Sequence, residues 1–388
     1  MTGVTETGPT PVGRVAALDL LRGLAATLMV FNHVGFATLS ADDAQQGIAG
    51  AVVFLGSLAP VLFFFATGFG SGLAPRPGPW RGVIDKALLL LLADQLLCWS
   101  AGRPWGLDFF GLIALCLLAA RAVLGRQHPL RAAALAIAVV VGLRYGIGPR
   151  LDAQLGGPYG PLHWLIGVRP HDNVSYPAAP WLVYPLLGVA LGLLYRRHGG
   201  RVGMVAWTVM AGVAVAGAAA AAAAAWWGGS FHRWGGVAAA YFALSLALLV
   251  LFLALSAALV GHAPRLARAL SLGGVASFVV VPLHYAIVRS GWLGTGLAPA
   301  AYVAVAAAVA VSSLPLSRAF ERLADGAGRS PRRPSFALAA VVATGASLAV
   351  AWASHGPQGS PQTLQAAATV GQLAIALLFA WRVGPFSR

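Results

Sequence analysis

The first long apolar stretch of the sequence, residues 16–37, reads AALDLLRGLAATLMVFNHVGFA. A helix needs about 20 mostly apolar residues to cross the hydrocarbon core of a bilayer, and this stretch is long enough. The residues before it are only weakly basic, and Asp19 and Arg22 interrupt its beginning, which is atypical of a secretory signal peptide. We therefore expect it to be retained as the first membrane-spanning helix.

Stretches of similar length and composition recur along the whole chain, separated by charged or Gly/Pro-rich turns. They predict an all-α, polytopic transmembrane helix bundle of about 12 spans (10–12), in a single integral membrane domain that covers residues 1–388. The predicted spans are 16–37, 48–73, 83–101, 107–125, 131–147, 178–195, 202–227, 236–260, 270–289, 294–316, 335–354 and 364–382.

The overall composition agrees with a membrane protein. Hydrophobic residues make up 59% of the 388 residues, and charged residues make up 10%, against about 25% in soluble domains. The net charge of +15 is distributed as small clusters between apolar stretches, so it predicts membrane orientation and no nucleic-acid partner. Cys98 and Cys116 both lie in apolar stretches and are expected to be core residues, without a disulfide or a metal site.

The basic residues also predict the orientation of the bundle. With the N-terminus inside, all but six of the 26 Lys and Arg residues fall on the cytoplasmic side, as the positive-inside rule requires. Both termini, including a tail over residues 1–15, are therefore expected to be cytoplasmic. The longest extracytoplasmic loop, 148–177, contains His163, His171 and Asp172, which either cap a binding site or belong to an ordinary solvated loop.

Two ionisable side chains in the first span share one helical face. Arg22 and His33 are eleven positions apart, which places them on nearly the same side of a helix and about 16 Å apart along its axis. Ionisable groups inside a span usually mark a functional site. An inner arginine suits an anionic donor such as a phosphate, and an outer histidine suits proton transfer. The alternative is that Arg22 pairs with Asp19 and His33 hydrogen-bonds a neighbouring helix.

Other polar residues in predicted spans are weaker candidates. Asp94 would either orient a histidine or serve as a hydrogen-bond partner in helix packing. His284, which follows the helix-bending Pro282, is a second candidate base in the outer half of its span. The glycines at 68, 70 and 72 fall at a helix end, and we interpret them as sites of close helix packing instead of a phosphate-binding loop.

Three motifs, in order, resemble a known group of membrane enzymes. LDLLRGLA from Leu18 followed by Asn32-His33 resembles the first helix of the membrane acyltransferase-3 superfamily. PVLFFFATGF from Pro60 resembles its aromatic-glycine second helix, with Thr67-Gly68 in place of the usual Ser-Gly. YPAAPW from Tyr176 is similar to the Pro-Trp motif of the heparan-α-glucosaminide N-acetyltransferase-like branch.

The resemblance implies an acyltransferase that moves an acyl group, commonly acetyl from acetyl-CoA, to a sugar amine or hydroxyl on the extracytoplasmic side. By position His33 is then the catalytic histidine, either as a general base or as a nucleophile, with Arg22, Asp94 and His284 as further catalytic candidates. The remaining site residues follow from the expected topology. Arg22, Arg81 and Lys86 are candidates for binding the CoA phosphates, and the candidates for binding the glycan acceptor are Asn32, His163, His171, Asp172 and Trp181.

A transporter or lipid flippase is the alternative from another functional class. In it Arg22 binds an anionic head group and His33 relays protons. A transporter predicts two related halves, and no later span repeats the first helix with its Arg and His. In either case we expect a multi-pass protein of a bacterial inner (plasma) membrane that contacts lipids and needs no metal. A homodimer is left open, since the small-residue spacings are too frequent to define a dimer face.

Overall fold

The computed structural model describes residues 15–74, 77–101, 103, 105–155, 162–167, 174–200, 204–226, 238–275, 277–290, 292–328, 345 and 361–383. These residues form helices joined by short turns, with two isolated β-bridges and no strand among them. The prediction of an all-α fold is confirmed. The helices are α1 (Ala16–Thr38), α2 (Gly47–Gly56), α3 (Ala59–Leu73), α4 (Trp80–Ser100), α5 (Phe109–Leu124), α6 (Pro129–Val141), α7 (Gly148–Leu155), α8 (Leu162–Leu165), α9 (Ala178–Trp181), α10 (Val183–Arg197), α11 (Met204–Trp226), α12 (Ala239–His262), α13 (Pro264–Val275), α14 (Ser277–Arg289), α15 (Pro299–Gly328) and α16 (Pro361–Val383).

Several predicted spans differ from the observed helices in their boundaries. The predicted span 48–73 is divided into α2 and α3 by a turn at Ser57 and Leu58, just before the helix-starting residues Ala59 and Pro60. The predicted span 270–289 corresponds to the end of α13 and to α14, with residue 276 outside the described residues, and α15 continues to Gly328, well beyond the expected end at 316.

The region between α6 and α9 is more helical than a loop. A π-helix at Gly142–Ile147 joins α6 to α7, so the predicted loop 148–177 begins with a helix. The predicted span 335–354 lies outside the described residues, apart from residue 345.

Five helical segments of the described chain are long and apolar enough to cross a membrane. They are Ala16–Thr38, Gly47–Leu73, Pro129–Gln154, Ala178–Arg197 and Ala239–His262. Shorter apolar helices include Phe109–Leu124 and Phe278–Arg289. The membrane character of the bundle is therefore supported, and the number of spans and the location of the termini stay predictions.

Helix α1 occupies the middle of the bundle and packs against α2, α3 and α12 to α15. Glycines on or beside α1 allow this close packing. A Cβ atom on Gly23 would overlap the backbone carbonyl of Leu270 in α13, and one on Gly56 would lie 2.6 Å from the Cβ of Asn32. Small residues of this kind let helix backbones approach each other in membrane proteins.

The most extensive helix pair, α3 and α10, is also built on glycines. A Cβ on Gly68 would overlap the carbonyl oxygen of Pro185, and one on Gly72 would lie 2.5 Å from the carbonyl oxygen of Val189. The interpretation as packing sites is confirmed for Gly68 and Gly72, whereas a Cβ on Gly70 would lie 3.1 Å from the Nη2 atom of Arg22. Beside this contact, Phe64 packs edge-on against Tyr176 and Trp181, with ring centroids 5.6 and 5.8 Å away.

Candidate functional site

Two histidines from distant parts of the chain meet in the middle of the bundle. His33 lies on α1 and His284 on α14, and these helices pack against each other. Their rings are nearly parallel, and the Nδ1 atom of His33 lies 2.7 Å from the Nε2 atom of His284. His284 is fully buried and His33 is partly buried. The structure thus joins the two residues that the sequence offered as separate candidate bases.

The hydrogen-bond partners determine which nitrogen atoms carry protons. The Nδ1 atom of His284 lies 2.8 Å from the carbonyl oxygen of Val280, which can only accept, so this nitrogen carries the hydrogen. In neutral His284 the Nε2 atom is then an acceptor, and the Nδ1–H of His33 donates to it. The Nε2 atom of His33 consequently keeps its lone pair, as a general base or nucleophile requires.

Tyr285 faces that free nitrogen of His33. Its hydroxyl oxygen lies 3.3 Å from Nε2, a distance at which the hydroxyl donates a weak hydrogen bond. The Tyr285 ring also lies against both histidines, with centroids 4.7 Å from His33 and 4.5 Å from His284. One helical turn later, the guanidinium carbon of Arg289 lies 4.7 Å from the centre of the Tyr285 ring.

A recess opens beside these residues. The empty space between its lining residues is about 400 Å³, part of which is open solvent. Its polar lining includes Asn32, His33, Ser57 and Tyr285, and its apolar lining includes Met29. The remaining lining residues are Gly56, Ala59, Pro60, Phe109, Tyr176 and Val281. Ligand sites are commonly apolar recesses with a few converging polar groups, and this recess has that character.

A polar cluster holds one wall of the recess in place. The Nη2 atom of Arg103 lies 2.7 Å from the Asp108 carboxylate, and its Nη1 atom donates to the Ser175 hydroxyl at 2.9 Å. Ser175 in turn donates to Asp108 at 2.9 Å. Burial opposes the charge of Arg103, but the combined effect of neighbouring groups, the Asp108 carboxylate first among them, raises the pKa of Arg103 above its ordinary value. These contacts join the residues before α5 to the segment that carries Tyr176.

Tyr176 itself is uncharged under ordinary conditions. Burial raises the pKa of its hydroxyl well above the usual value, and the nearby Asp108 carboxylate acts in the same direction. The aromatic rings of Tyr176 and Phe109, which both line the recess, lie 6.5 Å apart.

Asp94 lies close to this cluster instead of orienting a histidine. Its Oδ2 atom accepts from the backbone N–H of Asp108 at 2.9 Å, and the N–H groups of Phe110 and Gly111 also interact with the carboxylate. These contacts place its carboxyl group at the N-terminus of α5, where backbone N–H groups have no partner within the helix. The structure therefore supports the interpretation of Asp94 as a hydrogen-bond partner in helix packing. Its Oδ1 atom has no hydrogen-bond partner among the described residues.

The predicted donor-binding residues lie toward the end of the bundle where α1 begins and α3 ends. Arg22 forms an ion pair with Asp19 at 3.6 Å, as the alternative hypothesis expected, and also donates to the carbonyl oxygen of Ala66 at 3.3 Å. Arg81 is exposed in the first turn of α4 and Lys86 is partly buried further along the same helix. His33 lies eleven residues beyond Arg22, about 16 Å along α1.

The predicted acceptor-binding residues do not all lie at the recess. Asn32 lines the recess, and its amide donates to the carbonyl oxygen of Val53 at 2.9 Å. Trp181 is fully buried and is not among the residues that line the recess, but its ring centroid lies 5.0 Å from that of Tyr176, which does line it. His163 is buried on α8 near Gly167. His171 and Asp172 lie outside the described residues.

Sequence reasoning missed Tyr285 and Arg289 as site residues, and it named Tyr176 only as a member of the loop 148–177 and of the YPAAPW motif. Tyr285 directly follows the candidate base His284, and Arg289 is one helical turn later, so helical spacing could have indicated both. The position of Tyr176 against the recess depends on the contacts of Ser175 with a segment about 70 residues earlier, which no local pattern reveals.

The chain matches a model of a known protein family. The family model described as "Heparan-alpha-glucosaminide N-acetyltransferase, catalytic" matches residues 14–223, slightly more than half of the chain. The matched region contains Arg22, His33 and the Tyr176 segment, and it ends before α14, which carries His284 and Tyr285. A search of curated proteins found no match, and a search of solved structures found none either.

Proposed function

The chain belongs to the heparan-α-glucosaminide N-acetyltransferase family, and from this premise we propose that it transfers an acetyl group from cytoplasmic acetyl-CoA to a sugar amine or hydroxyl at the extracytoplasmic side. Family membership favours acyl transfer over the transporter or flippase hypothesis. The observation that carries the proposal is the pair of His33 and His284, which leaves the Nε2 atom of His33 as a base beside the recess.

His33 is the general base of the proposed reaction. As the acceptor nitrogen or oxygen attacks the thioester carbon, its proton passes to the Nε2 atom of His33. The imidazolium that forms is stabilised by His284, whose Nε2 atom accepts the Nδ1–H of His33. His284 is thus a positioning residue, and general base catalysis of this kind typically contributes about 10²–10⁴-fold to the rate.

The donor and acceptor are proposed to approach from opposite ends. Arg22, Arg81 and Lys86 supply positive charge for the CoA phosphates at the end of the bundle where α1 begins. The acceptor occupies the recess lined by Asn32 and Tyr176. The basic residues predict that the Arg22 end faces the cytoplasm, which in bacteria makes the outer side the extracytoplasmic face of the inner membrane.

The test is acetyl transfer by the purified full-length protein. Radiolabelled acetyl-CoA and glucosamine are supplied in detergent, and the parent is compared with His33→Ala and with Tyr302→Phe. Tyr302 is a buried tyrosine that donates to a backbone carbonyl and does not line the recess. We expect transfer by the parent and by Tyr302→Phe, and a loss of about 10²-fold or more with His33→Ala while acetyl-CoA binding persists.

Two results would count against the proposal. A parent protein that neither binds nor consumes acetyl-CoA would refute acyl transfer altogether. Full turnover by His33→Ala would exclude His33 from the chemical step. Label that becomes covalently attached to the parent but not to His33→Ala would instead identify His33 as a nucleophile that carries the acetyl group.

A further inference from the structure

Tyr285 is placed to act in the chemical step itself. Its hydroxyl lies 3.3 Å from the Nε2 atom of His33, and its side chain lines the recess. We propose that Tyr285 is a second catalytic residue, whose hydroxyl donates a hydrogen bond to the thioester carbonyl oxygen while negative charge develops there. This inference rests on the proposed acetyl transfer. It names a residue that stabilises the charge on the carbonyl oxygen, a role that His33 does not fill.

The Ser57 hydroxyl and the Asn32 amide, which also line the recess, donate to the backbone. The Ser57 hydroxyl donates to the carbonyl oxygen of Phe54 at 2.6 Å, and the Asn32 amide donates to the carbonyl oxygen of Val53 at 2.9 Å. The Tyr285 hydroxyl, by contrast, points at Nε2, the atom that must receive the acceptor's proton. An acceptor N–H that binds Nε2 displaces the hydroxyl, which then becomes a donor about 3 Å from the reacting groups.

The step can be written with its bonds and protons balanced. The acceptor nitrogen forms a bond to the carbonyl carbon of acetyl-CoA and releases its proton to the Nε2 atom of His33. The carbonyl π electrons move to the oxygen, where the Tyr285 O–H group stabilises them. The oxyanion then collapses, the carbon–sulfur bond breaks, and the leaving thiolate takes the proton held by His33. The products are the N-acetylated acceptor and CoA, with His33 and Tyr285 unchanged.

Arg289 strengthens Tyr285 as a donor. Its guanidinium carbon lies 4.7 Å from the centre of the Tyr285 ring, and a cation over an aromatic face favours negative charge on that ring. Arg289 is fixed by Gln365 at 3.1 Å and by Ser100 at 3.3 Å, which come from α16 and α4. It acts through Tyr285 and is therefore a positioning residue.

The experiment compares Tyr285→Phe with Tyr184→Phe in the full-length protein, using acetyl-CoA and glucosamine as probes. Tyr184 is a matched control, because it is fully buried and its hydroxyl shares a 2.7 Å hydrogen bond with Ser245 away from the recess. We expect kcat to fall about 10²–10³-fold for Tyr285→Phe, as for loss of one oxyanion donor, with KM for acetyl-CoA near the parent value. Tyr184→Phe should keep the parent kcat.

A second measurement separates catalysis from structure. Fluorinated tyrosines introduced at position 285 by nonsense suppression vary the acidity of the hydroxyl with little change of shape. While the phenol stays protonated, kcat should rise with its acidity. A parent that transfers no acetyl group overturns the proposed function and this role with it. A parent that transfers, with a kcat for Tyr285→Phe within about threefold, overturns the role of Tyr285 alone. The role of Tyr285 is also overturned if kcat does not change along the fluorotyrosine series, or if Tyr184→Phe lowers kcat as much as Tyr285→Phe does.

Discussion

The pairing of His33 with His284 makes a quantitative prediction about replacing His284. His284→Phe keeps an aromatic ring but removes the acceptor for the Nδ1–H of His33, which now lies 2.7 Å from it. A hydrogen bond to a group that becomes charged contributes about 1.5–3 kcal/mol, and about 1.4 kcal/mol of transition-state stabilisation corresponds to a factor of ten in rate. We therefore expect kcat to fall about 10- to 150-fold.

His284→Gln is the matched comparison for this prediction. The side-chain oxygen of glutamine can take the place of the His284 Nε2 atom as an acceptor, so His33 keeps the same tautomer and the loss should be smaller than with phenylalanine. The assay is radiolabelled acetyl transfer at saturating acetyl-CoA and glucosamine. Thermal unfolding and acetyl-CoA binding of each variant are measured to confirm that the bundle is intact.

The reasoning would be refuted by either of two results. The first is a His284→Phe variant whose kcat stays within about twofold of the parent, since His33 would then need no partner. The second is a His284→Gln variant as impaired as the phenylalanine variant, which would show that a neutral acceptor at this position does not preserve the function of His33.

Further variants test the packing and both binding regions. Gly68→Ala should destabilise the protein by about 1–3 kcal/mol in detergent unfolding, because its Cβ would overlap the carbonyl of Pro185, whereas Gly212→Ala, with open space around it, should be near neutral. Ser175→Ala should raise the KM for the acceptor about 3- to 10-fold with little change in kcat, because it loosens one wall of the recess. Arg22→Gln should raise the KM for acetyl-CoA about tenfold or more, with Arg22→Lys intermediate, and equal KM values in all three proteins would remove Arg22 from donor binding.

The predicted spans and the observed helices agree best where a change in hydropathy was sufficient to locate the ends of the helix. Predicted span 16–37 is α1 at Ala16–Thr38, and predicted span 236–260 is α12 at Ala239–His262. The predicted packing role of Gly68 and Gly72 is also confirmed, because glycines in an apolar helix are needed where backbones come close. Boundaries were less accurate where a turn is itself apolar, as between α2 and α3, since hydropathy does not change there.

In the candidate site too, some residues could be selected from the sequence and others only from the structure. Composition and the first-helix motif were sufficient to select His33 and Arg22, because an ionisable side chain in an apolar stretch is costly and therefore conspicuous. Asp94 in α4 was equally conspicuous, but its carboxyl group accepts a hydrogen bond at the N-terminus of α5. The sequence does not reveal this contact between two helices. Tyr285 was not selected, since a tyrosine in an apolar span is an ordinary core residue until its hydroxyl and its neighbours are known. Tyr176 belongs to the predicted loop 148–177 and to the YPAAPW motif, but its contact with the recess depends on distant residues.

The sequence by itself determined the class of protein, the helical architecture and the family, because membrane-spanning length, hydropathy and short motifs are local properties of the chain. Only the tertiary structure decided the chemistry of the site. His33 and His284 are 251 positions apart, and the tautomer of each follows from a 2.7 Å contact between them and a carbonyl group on α14. A hydrogen bond depends on distances of a few tenths of an ångström, and these are set by how α1 and α14 pack, not by the composition of either helix.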